Sequence, residues 1–216
     1  MRIKSQESLI DFIDGRSQLR RRELFTFSQL LKSTRKHEVG ILCRSAIVIA
    51  YAHWEGFVKE TAAAYVEYVA CKSLRFDQLS PNFKAIACRE ILSDASRATK
   101  QMSPHLKVVE YFADSSSKII DTSCLSPSVI DTQSNLRSEV LENICITVGL
   151  DYTRRWCTYA PFVDELAQQR HAIAHGTTVV PPRDYAVEAV GFVEKAIDWF
   201  RTDIENCAVQ AAFIST

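Results

Sequence analysis

Glycine and proline are scarce in this chain, at six each in 216 residues, and the glycine-containing dipeptides that turn β-hairpins are all but missing, with Asp14-Gly15 the one example. That speaks against an all-β fold, whose many tight turns need those residues. The seven cysteines contain no C-x-x-C pair and are odd in number. A disulfide framework and a cysteine zinc site are therefore not expected, and a reducing cytoplasmic setting fits best. Excess charge is absent as well. Lys plus Arg and Asp plus Glu number 26 each, so the formal net charge is zero. A broad non-specific nucleic-acid binder would usually be basic. A local basic cleft remains compatible with this balance. No uninterrupted apolar run approaches the roughly 18 residues of a membrane span. The opening stretch carries Glu7 and Asp11 within its first turns and does not read as a signal peptide.

What is present is helical periodicity. Apolar residues make up 47% of the chain, enough for a sizeable core. Residues 5–13 read as a short first helix stopped at Asp14-Gly15. Residues 17–35 read as a second, with Leu24, Phe27, Leu30 and Leu31 on one side. Residues 38–73 carry the clearest pattern. Leu42, Ala46, Ile49, Ala50, His53, Trp54, Phe57, Thr61, Tyr65 and Val69 recur at three- and four-residue steps. Such a helix would run about 50 Å and serve as the backbone of a bundle. Gly56 within it suits a close approach or a local bend.

The middle, residues 74–133, is punctuated by Pro81, Pro104 and Pro127. It predicts short helices near 82–93 and 104–113, with loops at 115–117 and 121–133. A helix over 134–148 should stop at Gly149. In the next helix Pro161 suits the first turn, Asp164 and Glu165 the early positions, and Gly176 the residue just past the end. A last helix begins near Asp184, with Tyr185, Ala189, Phe192 or Val193, Ala196, Phe200 and Ile204 as its stripe. The expectation is one all-α domain over 1–216, an antiparallel bundle with a long central helix. Residues 74–133 form an irregular insertion with short helices.

The most informative run is Arg170-His171-Ala172-Ile173-Ala174-His175-Gly176, at an expected helix C-terminus. It offers a permanent cation and an imidazole able to take a proton, the parts needed for phosphodiester cleavage. His171 and His175, four apart, share a helix face. Arg170 and His175, five apart, point about 140° apart on an ideal helix. They meet at one site if the helix loosens near Gly176, or if two copies face each other across a two-fold axis. A zinc pair at His171 and His175 would lack the glutamate of H-E-x-x-H and a third ligand, so neither metal nor cofactor is expected.

This run resembles the HEPN superfamily signature, an arginine followed four to six residues later by histidine. The residue after the arginine is typically Asn, Asp or His there, which makes His171 an allowed variant of the commoner Asn. The segment Ala50-Tyr51-Ala52-His53-Trp54-Glu55-Gly56-Phe57-Val58-Lys59 resembles the A-Y-x-x-W-E-G-F-V-K stretch of HEPN-like nucleases of the RiboL-PSP type. The resemblance spans roughly residues 20–205.

It implies a helical bundle that dimerises around the motif. It also implies a metal-independent endoribonuclease that leaves a 2′,3′-cyclic phosphate, of the sort found in bacterial toxin–antitoxin and phage-defence systems. Its partners would be an RNA substrate, a second copy of the chain and an antitoxin or defence protein, with no membrane. Arg170 and His175 would be the catalytic pair and His171 the auxiliary residue. Glu55 would orient Arg170 or a histidine, and Tyr51, one turn away, would line the same cleft. Trp54 and Phe57 read as core rather than as base-stacking residues, and His53 as packing or surface. Arg20-Arg21-Arg22 and Arg35-Lys36 are either phosphate contacts or solvated faces. The competing function is a non-catalytic module that binds RNA, a nucleotide or a partner protein.

Overall fold

A computed structural model describes residues 3–98 and 100–215. Among them the chain forms eight α-helices and no strand. These are α1 (Gln6–Ser33), α2 (Val39–Ala70), α3 (Pro81–Ala87), α4 (Arg89–Arg97), α5 (Met102–Asp114), α6 (Ser138–Val148), α7 (Trp156–Ala174) and α8 (Arg183–Val209). Helix α2 is central and packs against α1, α6, α7 and α8, while α4 and α5 pack chiefly on each other. By length and composition alone, an 18-residue window of α2 reaches a mean hydropathy of 1.2, enough to cross a membrane. Sequence reading that counted only uninterrupted apolar runs passed over this. In the fold the helix is the core of the bundle, with Ala50, Tyr51, Trp54, Phe57 and Val58 fully buried.

Helix α1 corrects the expected stop at Asp14-Gly15. It starts on a reciprocal cap between Ser5 and Ser8 and continues through the glycine to Ser33. Leu9, Ile13, Ser17, Arg20, Leu24 and Leu31 make one unbroken buried stripe. A glycine inside a helix costs about 1 kcal/mol. Packing of that whole stripe against α2 and α8 outweighs it.

The helix expected over 82–93 is two helices, divided at Cys88. The reason is a change of partner, because α3 packs on α6 whereas α4 packs on α5. The helix expected over 134–148 begins at Ser138 and ends at Gly149, whose φ of +79° a glycine adopts without a Cβ penalty.

Pro161 is not in the first turn of α7; that helix begins five residues earlier, at Trp156. The anchor is tertiary. Trp156 stacks on Trp54 at 5.4 Å and donates its indole N–H to Asp203 at 3.2 Å. With the start held there, the solvent-facing proline is accommodated at the loss of one backbone hydrogen bond. Phe200 of α8 meets both tryptophans edge-on, so one aromatic cluster joins α2, α7 and α8.

Candidate active site at the end of α7

The last turn of α7 is closed by a Schellman-type cap. His175 is the C-cap residue and Gly176 follows with φ +77°. The Gly176 N–H donates to the Ile173 carbonyl, and the Thr177 N–H to the Ala172 carbonyl, each at 3.1 Å. The Thr177 hydroxyl donates to the same Ala172 oxygen at 2.8 Å. The glycine thus turns the chain immediately after His175, as its place in the sequence predicts.

On this turn the two histidines share a face. Their ring centroids are 4.2 Å apart, and both side chains are exposed. Arg170 lies against α2. It is half-buried, with its guanidinium 4.9 Å from the centroid of the Tyr51 ring. A cation over an aromatic face is held by the ring quadrupole, which restricts where the guanidinium lies. No hydrogen bond joins Arg170 to His175 among the described residues, and the helix loosens only at its final residue. Within one chain, then, Arg170 lies against Tyr51 and His175 against His171.

Tyr51 is a platform for the Arg170 guanidinium. Its hydroxyl accepts the backbone N–H of Leu136, and its ring is fully buried. Burial, then the nearby Glu55 carboxylate, push its pKa up to about 12; the Leu136 contact and the charges of Arg170 and Arg137 act the other way. Tyr51 therefore stays neutral and does not serve as a proton carrier at ordinary pH. Leu136 leads into α6, whose start is capped by Asp164 of α7. The Asp164 carboxylate accepts the Ser138 N–H at 2.8 Å and its hydroxyl at 2.7 Å.

Glu55 was expected to orient Arg170 or a histidine. It is half-buried on α2 near Tyr51, yet it joins none of the ion pairs among the described residues. The orienting contact to Arg170 comes from the Tyr51 ring instead. His53 contacts the Glu23 carboxylate at 2.8 Å, and burial lowers its pKa against the opposing pull of Glu23. Trp54 and Phe57 are fully buried, in keeping with a core role.

The arginine run of α1 is mostly spoken for. Arg20 is buried and meets Glu60 at 3.1 Å, and it occupies the groove beside Gly56, where a Cβ would lie 3.1 Å from its guanidinium. That is the close approach for which a glycine at 56 was suited. Arg21 pairs with Asp198 at 2.9 Å. Arg22, Arg35 and Lys36 are exposed. Among the described residues no group of three or more His, Cys, Asp or Glu side chains is arranged to hold a metal. A cavity of about 720 Å³ lies away from the motif, between α4, α5 and the segment 118–129.

An arginine and a histidine, four residues between them, at the capped end of a helix in an all-α bundle define a protein of the HEPN superfamily. More narrowly, residues 16–206 match the model of the RiboL-PSP-HEPN family, and the chain belongs to that family. The family points to a nuclease or RNA-related module. No curated protein and no solved structure matches the chain.

Proposed function

We propose that this protein is a metal-independent endoribonuclease of a bacterial toxin–antitoxin or phage-defence system, acting in the cytoplasm. The observation that carries this reading is the intact motif. Arg170 is held over Tyr51, and His175 stands exposed on a capped helix end with His171 against it. His175 takes the proton from a ribose 2′-hydroxyl, and the 2′-oxygen attacks the adjacent phosphorus. The bond to the 5′-oxygen breaks, that oxygen leaves as a hydroxyl after gaining a proton, and a 2′,3′-cyclic phosphate remains. Arg170 stabilises the negative charge that builds on the phosphorane-like transition state. His171 is the auxiliary polar residue.

The direct test is incubation of the purified protein with RNA in EDTA. Cleavage is expected to persist, with cyclic phosphate ends on the products. Activity abolished by EDTA and restored by a divalent ion would overturn the mechanism. RNA binding without any cleavage would favour the non-catalytic module instead.

The active form in this reading is a homodimer. Arg170 and His175 lie about 140° apart on an ideal helix, and a second copy across a two-fold axis would bring both pairs into one cleft. Beside the motif, Ile41, Val179 and Val180 are exposed, Ile41 by 72%, and a second copy would cover them. Light scattering at micromolar concentration should show a dimer. A monomer with full ribonuclease activity would contradict this. An antitoxin or other defence protein is the expected further partner.

A further inference from the structure

Helix α2 meets the motif segment at two registers. Tyr51 lies against Arg170. Arg44, seven residues earlier and so on the same helical face, reaches the chain just beyond the motif. Its guanidinium donates to the carbonyl oxygens of Thr177 and Val179, the latter at 2.8 Å. Thr177 is likewise seven residues beyond Arg170, so the two segments run antiparallel and His175 falls between the two anchors. Little else holds this stretch. Residues 174–180 are exposed, and beyond the Thr177 cap the neighbouring contact is Val180, 3.3 Å from where a Cβ on Gly40 would lie. Arg44 joins none of the ion pairs among the described residues. Its charge is directed at two backbone carbonyls instead, a charge-assisted and therefore stronger class of hydrogen bond. His175 makes no side-chain hydrogen bond among the described residues. The direction of its imidazole depends on the backbone that carries it and on the His171 ring.

We infer that Arg44 is a positioning residue for His175. It clamps the chain that leaves the capped turn onto α2, the same helix that holds Arg170, so that base and cation are set against one rigid reference. The inference rests on the endoribonuclease reading. Misplacing a catalytic group by about 1 Å costs up to about 100-fold in rate.

The test compares wild type, Arg44→Ala and Arg44→Lys on one RNA substrate. Hydrogen exchange is measured on the same samples. Arg44→Ala is expected to lose about 10- to 100-fold in kcat with KM little changed. Its exchange should quicken at Gly176 and Thr177, the hydrogen-bonded amides of this stretch, while the helices keep their protection. The limb of its pH–rate profile that reports the base should flatten, whereas a smaller folded fraction would lower the curve without changing its shape. Arg44→Lys, which keeps a charged donor, should recover most of the rate. An Arg44→Ala protein with wild-type kcat overturns the clamp and leaves the nuclease reading standing. So does a uniformly lowered pH profile with faster exchange across the bundle. Wild type that cleaves no RNA overturns the nuclease reading and this inference with it.

Discussion

Arg170→Lys is expected to fold normally and to lose about two to three orders of magnitude in RNA cleavage, the usual consequence of removing one donor that stabilises transition-state charge. Lysine keeps the positive charge. It lacks the planar, multi-donor head that can grip two phosphate oxygens and that sits over the Tyr51 ring. His175→Ala should be at least as damaging, since it removes the proposed base from a turn whose cap is made by the backbone and by Thr177. The fold should survive, because the histidine side chain is exposed. His171→Asn should be mild, because asparagine is the commoner residue there in the related pattern. The rank order is what a single-turnover assay reads. If His171→Asn were as inactive as His175→Ala while Arg170→Lys stayed active, the assigned roles would be wrong.

The largest effect on stability is expected at Trp54. Its side chain is fully buried, stacked on Trp156 and edge-on to Phe200, so it joins the three helices that frame the site. Trp54→Ala should cost about 3–5 kcal/mol through lost burial and the cavity left behind. That is a large share of the roughly 5–15 kcal/mol by which domains are stable. Trp54→Phe should cost much less. The indole N–H of Trp54 is buried with no acceptor among the described residues, and an unmet donor costs about 1–3 kcal/mol. Phenylalanine removes that donor while keeping an aromatic ring. Urea unfolding at a fixed protein concentration measures both variants. Concentration matters because a dimer would make apparent stability depend on it. A Trp54→Ala protein within 1 kcal/mol of wild type would show that the three aromatic rings do not tie the bundle together.

Local patterns in the chain were enough for much of the bundle. The three- and four-residue recurrence from Leu42 to Val69 located α2, and Gly149 and Gly176 marked two helix ends because both adopt positive φ. The R-H-A-I-A-H-G run and the A-Y-A-H-W-E-G-F-V-K stretch identified the family without any coordinates. The site was legible in part. The pairing of the two histidine rings follows from a four-residue spacing. Sequence shows that Tyr51 and Glu55 share a helix, and does not show which of them the opposing arginine meets; in the fold it meets the Tyr51 ring.

What the sequence determined by itself is the part governed by neighbours within a few positions: helical class, the central helix, two glycine caps and the identity of the motif. Tertiary structure decided the rest. Gly15 and Pro161 are breakers worth about 1 and 3 kcal/mol in isolation, yet α1 runs through one and α7 starts ahead of the other. A whole stripe of buried side chains, or a tryptophan fixed between Trp54 and Asp203, outweighs a single local preference. Cys88 divides α3 from α4 because the two halves have different partners. Arg20 is buried, though its triple-arginine setting reads as a solvated or phosphate-binding face, because Glu60 and the groove at Gly56 receive it. Arg44 carries no local mark at all. Its acceptors lie 133 and 135 residues further along, and only the folding of α2 against the motif helix brings a guanidinium to those two carbonyls.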